Sequence, residues 1–249
     1  MTRRTISATP WHFPATNSQH LRFMSAKLLT SAVFAGVAAG LIAALLQFYF
    51  VIPTLLEGEL FEGGERIHFV TDGSPQSERG SPSLGSDLGR HLMTVGFNLV
   101  TYVGFGFLLL AVMAATEMKG LTKITARSGI IWGLAGFIAV QMAPAMGLPP
   151  VLPGTIGAEV EARQASWLGT IIASGLGLWM IAFSRGSIAL VGIVLLAAPQ
   201  FIGAPQLDTY WGVAPPELSA QFVSFSLGAA AVGWTCLGFF SAWFWTRAS

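Results

Sequence analysis

No charged side chain interrupts the chain between Lys27 and Glu57. At a helical rise of about 1.5 Å per residue, roughly 20 apolar residues cross the hydrocarbon core of a bilayer. The run predicts a first transmembrane helix over 28–52, stopped by Pro53. The same test places a second span at 92–116, between Arg90 and Glu117, and a third at 128–146, after Arg127. The apolar stretch 167–204 is about twice the length of one crossing and is broken only by Ser184, Arg185 and Gly186. A turn-forming group around one charge predicts a helical hairpin there, two spans in place of one. The last span, 218–246, ends among Trp243, Trp245 and Arg247, aromatic and cationic side chains suited to an interface. The fold class is an all-α integral membrane protein, a polytopic bundle of six transmembrane helices, or five if 188–204, shortened by Pro199, does not cross.

Charged residues make up 10% of the chain and hydrophobic residues 53%, whereas soluble domains carry roughly a quarter charged residues. Too few charges are present to clothe a water-facing surface. Cys236 is the single cysteine, which excludes an intrachain disulfide and a cysteine-built metal site. Residues 1–26 show no periodicity and read as a disordered tail. Arg3 and Arg4 lie too far ahead of the first apolar stretch to begin an export signal. The remainder, 27–249, is one transmembrane domain with an acidic external loop at 53–90.

Six crossings put both termini, the loop at 117–127 and Arg185 on one side. That side holds Arg3, Arg4, Arg22, Lys27, Lys119, Lys123, Arg127, Arg185 and Arg247, nine of the thirteen basic residues. Basic loops stay in the cytoplasm, so both termini are expected there. Of the twelve acids, all but Glu117 then face outward. The charge asymmetry sets topology and does not point to nucleic acid.

The external loop carries Glu57, Glu59, Glu62, Glu65, His68, Asp72, Glu78, Asp87 and His91. Carboxylate oxygen with imidazole nitrogen suits Co2+, Ni2+ or Zn2+. Glu57, Glu59, Glu62, Glu65 and His68 are the candidate metal ligands; the alternative is a solvated connector, because no close pair of histidines is present. Within the spans stand the amides Gln47, Asn98 and Gln141, and no Asp, Glu, Lys or Arg. Such amides either bond helices together or line a path. A dehydrated cation would need amide oxygens, the thioethers of Met142 and Met146, or carbonyls at a broken helix. Pro144, Pro149, Pro150 and Pro153 cannot continue a helix, so the backbone leaves the third span extended. Gln47, Asn98, Gln141, Met142, Pro144, Met146, Arg163 and Gln164 make up the candidate transport path.

Other classes of function find little support. The absence of an intramembrane carboxylate argues against a self-sufficient proton-coupled pump. No Walker A motif occurs, so this chain alone cannot use ATP. No paired intramembrane acids or nucleophile constellation marks an enzyme, and no permanently bound cofactor is expected. Gly36 and Gly40, and Gly129, Gly133 and Gly136, stand at the spacing that lets helices approach closely.

From about Met24 the chain resembles the CbtA family of bacterial cobalt transporter subunits. The resemblance is carried by the small-residue first helix, Glu57 and Glu59, and the Ala-Pro-x-x-Gly-Leu-Pro-Pro run at 143–150. Leu152-Pro153-Gly154, Arg163-Gln164 and the aromatic last helix extend it. Val151 stands where family members often carry an acid. The resemblance implies uptake of Co2+ for cobalamin synthesis, with Co2+ as cargo, and residence in the bacterial inner membrane. It also implies a small one-helix, histidine-bearing partner subunit, CbtB-like, in the same lipid bilayer; self-association is left open. The competing expectation is a structural or assembly subunit that never touches metal.

The orientation is checked with an impermeant thiol reagent. A cysteine at Ser81 should be labelled from outside intact cells and one at Thr122 should not; reversed labelling overturns the assignment.

Overall fold

The computed structural model describes residues 16–68, 73 and 76–248. The described residues form helices and connecting loops, with no strand. The expected tail lies outside the described residues over 1–15, but from Thr16 onward the chain is helical, eleven residues earlier than the tail expectation allows. Helix α1 (Thr16–Leu46) continues through a wide π turn, π1 (Gln47–Val51), into α2 (Ile52–Glu62). After α3 (Leu88–Met118), α4 (Ala126–Phe137) likewise passes through π2 (Ile138–Met142) into the short α5 (Ala143–Ala145). Helices α6 (Val160–Phe183), α7 (Ser187–Ile202) and α8 (Pro216–Arg247) complete the bundle.

Pro53 does not stop the first span, contrary to expectation. A proline lacks the N–H that would bond the carbonyl four residues back. Here the helix widens by one residue just ahead of it: the Ile52 N–H bonds the Gln47 carbonyl. Pro53 then falls in the first turn of α2, where a missing N–H costs little. Pro144 is handled the same way, with the Ala143 N–H bonded to the Ile138 carbonyl. One consequence is that Glu57 and Glu59 stand on a helix and not in a loop.

Five continuous helical segments, Met24–Glu62, Leu88–Met118, Ala126–Ala145, Val160–Phe183 and Pro216–Arg247, are long and apolar enough to cross a membrane. The sixth, α7, has 16 residues, a rise of about 24 Å. It nevertheless runs back along α6, with Gly177 and Gly192 bringing the two backbones together. The Gln200 side chain then donates to the Ala143 carbonyl at 2.9 Å, and Gln206 to that of Gly147 at 2.8 Å. Helix α7 therefore returns the chain to the end of the bundle where α5 stops.

The core lies where α1 meets α3 and α8. Ala32, Ala35, Ala39 and Ala43 form one small-residue face of α1, packed with Leu110 and Met113 of α3 and with Trp234 and Leu237 of α8. Since lipid is as apolar as a helix surface, close contact drives helix association in a membrane. Glycines supply that contact here: Gly36 lies on the backbone of Val103, Gly129 on that of Gly238, and Gly133 on that of Trp234. Both predicted glycine sets thus serve as contact surfaces. A smaller cluster of Phe61, Leu152, Leu218 and Phe222 seals the acidic end. At the basic end Lys27 lies 4.8 Å from the ring of Trp245.

A side chain at Gly133 would meet the carbonyl of Trp234, whereas Gly175 faces open space. Gly133→Ala should lower stability in detergent by about 1–3 kcal/mol, the usual cost of overpacking, and Gly175→Ala should be neutral or slightly stabilising. Thermal unfolding of the two purified variants checks this, and equal melting temperatures would contradict the seam.

Candidate functional site

The acidic end is held by its own charges. Glu57 is 6% exposed, and its Oε1 accepts from Arg66 Nη1 at 3.0 Å and from the Gly80 N–H at 2.9 Å. The Ser81 hydroxyl donates to its other oxygen at 3.4 Å. Glu59 receives a two-pronged contact from Arg90, at 3.1 and 2.6 Å. These bonds tie the segment after α2, and the start of α3, to α2. The oxygens of Glu57 and Glu59, both expected as metal ligands, thus accept from arginines 9 and 31 residues away. Glu62 and Glu65 are exposed and His68 is half-buried. Asp72 lies outside the described residues. Among the described residues no three of His, Cys, Asp and Glu converge as a metal site.

The intramembrane amides do converge. Gln47 of π1, Asn98 of α3 and Gln141 of π2 line one cavity of about 390 Å³, closed on the remaining side by Ser226, Ala229, Ala230 and Trp234 of α8. Gln47 and Asn98 face each other as a reciprocal amide pair: Gln47 Nε2 donates to Asn98 Oδ1 at 3.2 Å, and Asn98 Nδ2 to Gln47 Oε1 at 2.9 Å. Asn98 Nδ2 also donates to the Thr94 carbonyl. Each amide oxygen has two lone pairs, so the pairing leaves acceptor capacity on both. No charged side chain lines the cavity. Both π turns open onto it, in keeping with the frequent placement of such turns at functional sites.

The rest of the expected path divides. Arg163 and Gln164 line a second cavity of about 680 Å³ between the proline string and residues 205–211, with Trp167, Asp208 and Trp211 on its wall. Pro144 is buried, while Met142 and Met146 are exposed and line neither cavity.

Several residues escaped the sequence reading. Thr94, Thr101 and the buried Tyr102 line the first cavity beside Asn98. Their signal was present: 94, 98, 101 and 102 fall on one helical face, a polar stripe in an apolar span. Glu117, the one acid at the basic end, accepts from Trp245 Nε1 at 3.0 Å and from the Ile124 N–H at 2.8 Å, joining α3, the turn after it and α8.

The two acid–arginine pairs should differ in weight. Glu57→Ala should cost about 3 kcal/mol, the lower end for a broken buried pair. Glu59→Ala should cost about 1 kcal/mol or less, because both partners, at 39% and 37% exposure, are well solvated. Denaturation of the purified variants measures both, and a costlier Glu59 change would contradict the assignment.

No curated protein and no solved structure matches the chain. The family model described as a probable cobalt transporter subunit, CbtA, matches residues 25–246, nearly the whole length. The chain therefore belongs to the CbtA family.

Proposed function

We propose that this chain is the membrane subunit through which Co2+ passes, with the amide-lined cavity as the point of passage. The observation that carries the proposal is the convergence of Gln47, Asn98 and Gln141, amides from three separate spans, on one space. A divalent ion stripped of water in a low-dielectric site faces a cost of tens of kcal/mol, and this cavity offers no carboxylate to offset it. Room for water removes the difficulty. Six waters at about 30 Å³ each occupy about 180 Å³, under half of the 390 Å³ present. Co2+ therefore crosses partly hydrated, with amide oxygens replacing some waters, and it dwells briefly because no fixed charge holds it.

The surroundings fit this role. The exposed Glu62 and Glu65 supply an attractive field at the acidic end, concentrating cations without binding them tightly. The acidic end faces out and both termini face the cytoplasm of a bacterial inner membrane, following the placement of basic residues. Energy comes from outside this chain, through a partner or an ion gradient, and a one-helix CbtB-like subunit is the proposed partner. The imported cobalt supplies cobalamin synthesis.

Uptake of Co2+ by cells expressing the chain, with and without a one-helix partner, tests the proposal. The double variant Gln47→Leu/Asn98→Leu removes both halves of the amide pair, leaving neither unsatisfied. It should reach the membrane in normal amounts and lower initial uptake at least tenfold. Asn98→Asp should lower the half-saturating Co2+ concentration and slow turnover, because a carboxylate retains the ion. Parental uptake in the double variant would reduce the amides to helix-bonding groups and favour an assembly role.

A further inference from the structure

His91 lies in the first turn of α3, outside both cavities. Its Nε2 is 3.3 Å from the carbonyl oxygen of Gly85. A carbonyl can only accept, so Nε2 carries the hydrogen, and in the neutral ring Nδ1 is a bare lone pair. That Nδ1 is buried and has no hydrogen-bond partner among the described residues. A buried polar atom left unpaired costs about 1–3 kcal/mol and calls for an explanation.

The surroundings hold the ring in place. Gly85 has φ of +72°, a conformation that side chains rarely adopt, so the carbonyl contact depends on glycine at that position. Phe48 of π1 meets the imidazole edge-on, ring centroids 5.5 Å apart. Phe48 directly follows Gln47, while Thr94 and Asn98 lie one and two turns along the same face of α3 from His91. His91 thus stands one helical turn from Thr94 on the wall of the amide cavity. An imidazole whose other nitrogen donates to a backbone carbonyl is the usual arrangement of a metal-ligating histidine.

We propose that His91 Nδ1 is a ligand for a first-row divalent cation beside the amide cavity. The hydrated ion loses one coordinated water and gains the Nδ1 lone pair; no proton is released, because Nδ1 carries none, and no redox change occurs. A borderline nitrogen donor favours Co2+ over the hard ions Mg2+ and Ca2+, so His91 selects the cargo that the uncharged amides then pass on. The handover, though not the binding, rests on the transport role proposed above.

The test uses the full chain purified in lipid nanodiscs with Co2+ as the probe. The chain has four histidines, so the triple variant His12→Ala/His20→Ala/His68→Ala leaves His91 as the sole imidazole. Pulsed paramagnetic resonance on Co2+-loaded protein with isotopically labelled histidine should show an imidazole nitrogen bound in the triple variant, undiminished by excess Mg2+. His91→Phe should abolish that signal and raise the half-saturating Co2+ for uptake at least tenfold, the scale on which even groups supporting a ligand act. Absence of imidazole coupling in the folded triple variant overturns the proposal and leaves Nδ1 as the partner of a water. The two proposals fail separately. Imidazole-bound Co2+ in a protein whose cells take up none removes the transport role alone. Unchanged Co2+ binding and uptake in His91→Phe, with uptake lost in the amide variant, removes His91 alone.

Discussion

Inside a bilayer a backbone carbonyl has no water to turn to, and its bonds must be made within the protein. Pro53 and Pro144 each withdraw an N–H from a spanning segment, and each is preceded by a π turn that moves the bonding register by one residue. The repair has a geometric by-product. A widened turn displaces its side chains from the regular helical stripe, and Gln47, Val51 and Gln141, all carried on these turns, border the polar cavity. The need to satisfy the backbone around two prolines and the presence of a polar space among the helices are thus connected.

What keeps that space from collapsing is the stiffness of the seams around it. Alanines of α1 and glycines of α1, α4 and α8 bring the backbones into direct contact, and small residues leave no side-chain freedom to absorb movement. Trp234 reaches across as a rigid wedge: its ring fills the notch above Gly136, lies tilted against Phe105 at 4.7 Å, and forms part of the cavity wall. Packing and polar lining are therefore shared by the same residues of α8.

Much of the bundle was legible in the sequence because the signals are local. Uncharged runs of spanning length marked the helices, the spacing of Gly129, Gly133 and Gly136 marked a contact face, and the three amides stood out against an apolar background. The places where the reading went astray depend on contacts between distant residues. Pro53 reads as a stop because nothing in the local pattern announces the π turn that accommodates it. The arginine partners of Glu57 and Glu59 were not legible, because Arg66 and Arg90 enter their surroundings only after the segment beyond α2 folds back. The orphan nitrogen of His91 is a matter of where one glycine carbonyl points, which no spacing rule reports. The polar stripe of Thr94, Asn98 and Thr101 is the exception, since helical periodicity alone would have grouped them.

Helix α8 is synthesised after α1–α7, lies between α1 and α4 and contacts both extensively. Until it leaves the ribosome, the glycine face of α4 has nothing to close on, and Glu117 has no indole to receive. Helix α4 must therefore wait in the membrane without its main partner, whereas α1 and α3 already meet at Gly36 and Gly106. By contrast the α6–α7 hairpin carries its own seam at Gly177 and Gly192 and can be inserted as a finished pair. Truncation near the carboxyl terminus consequently removes the keystone of the bundle, whereas the order of synthesis leaves the hairpin complete before the keystone arrives.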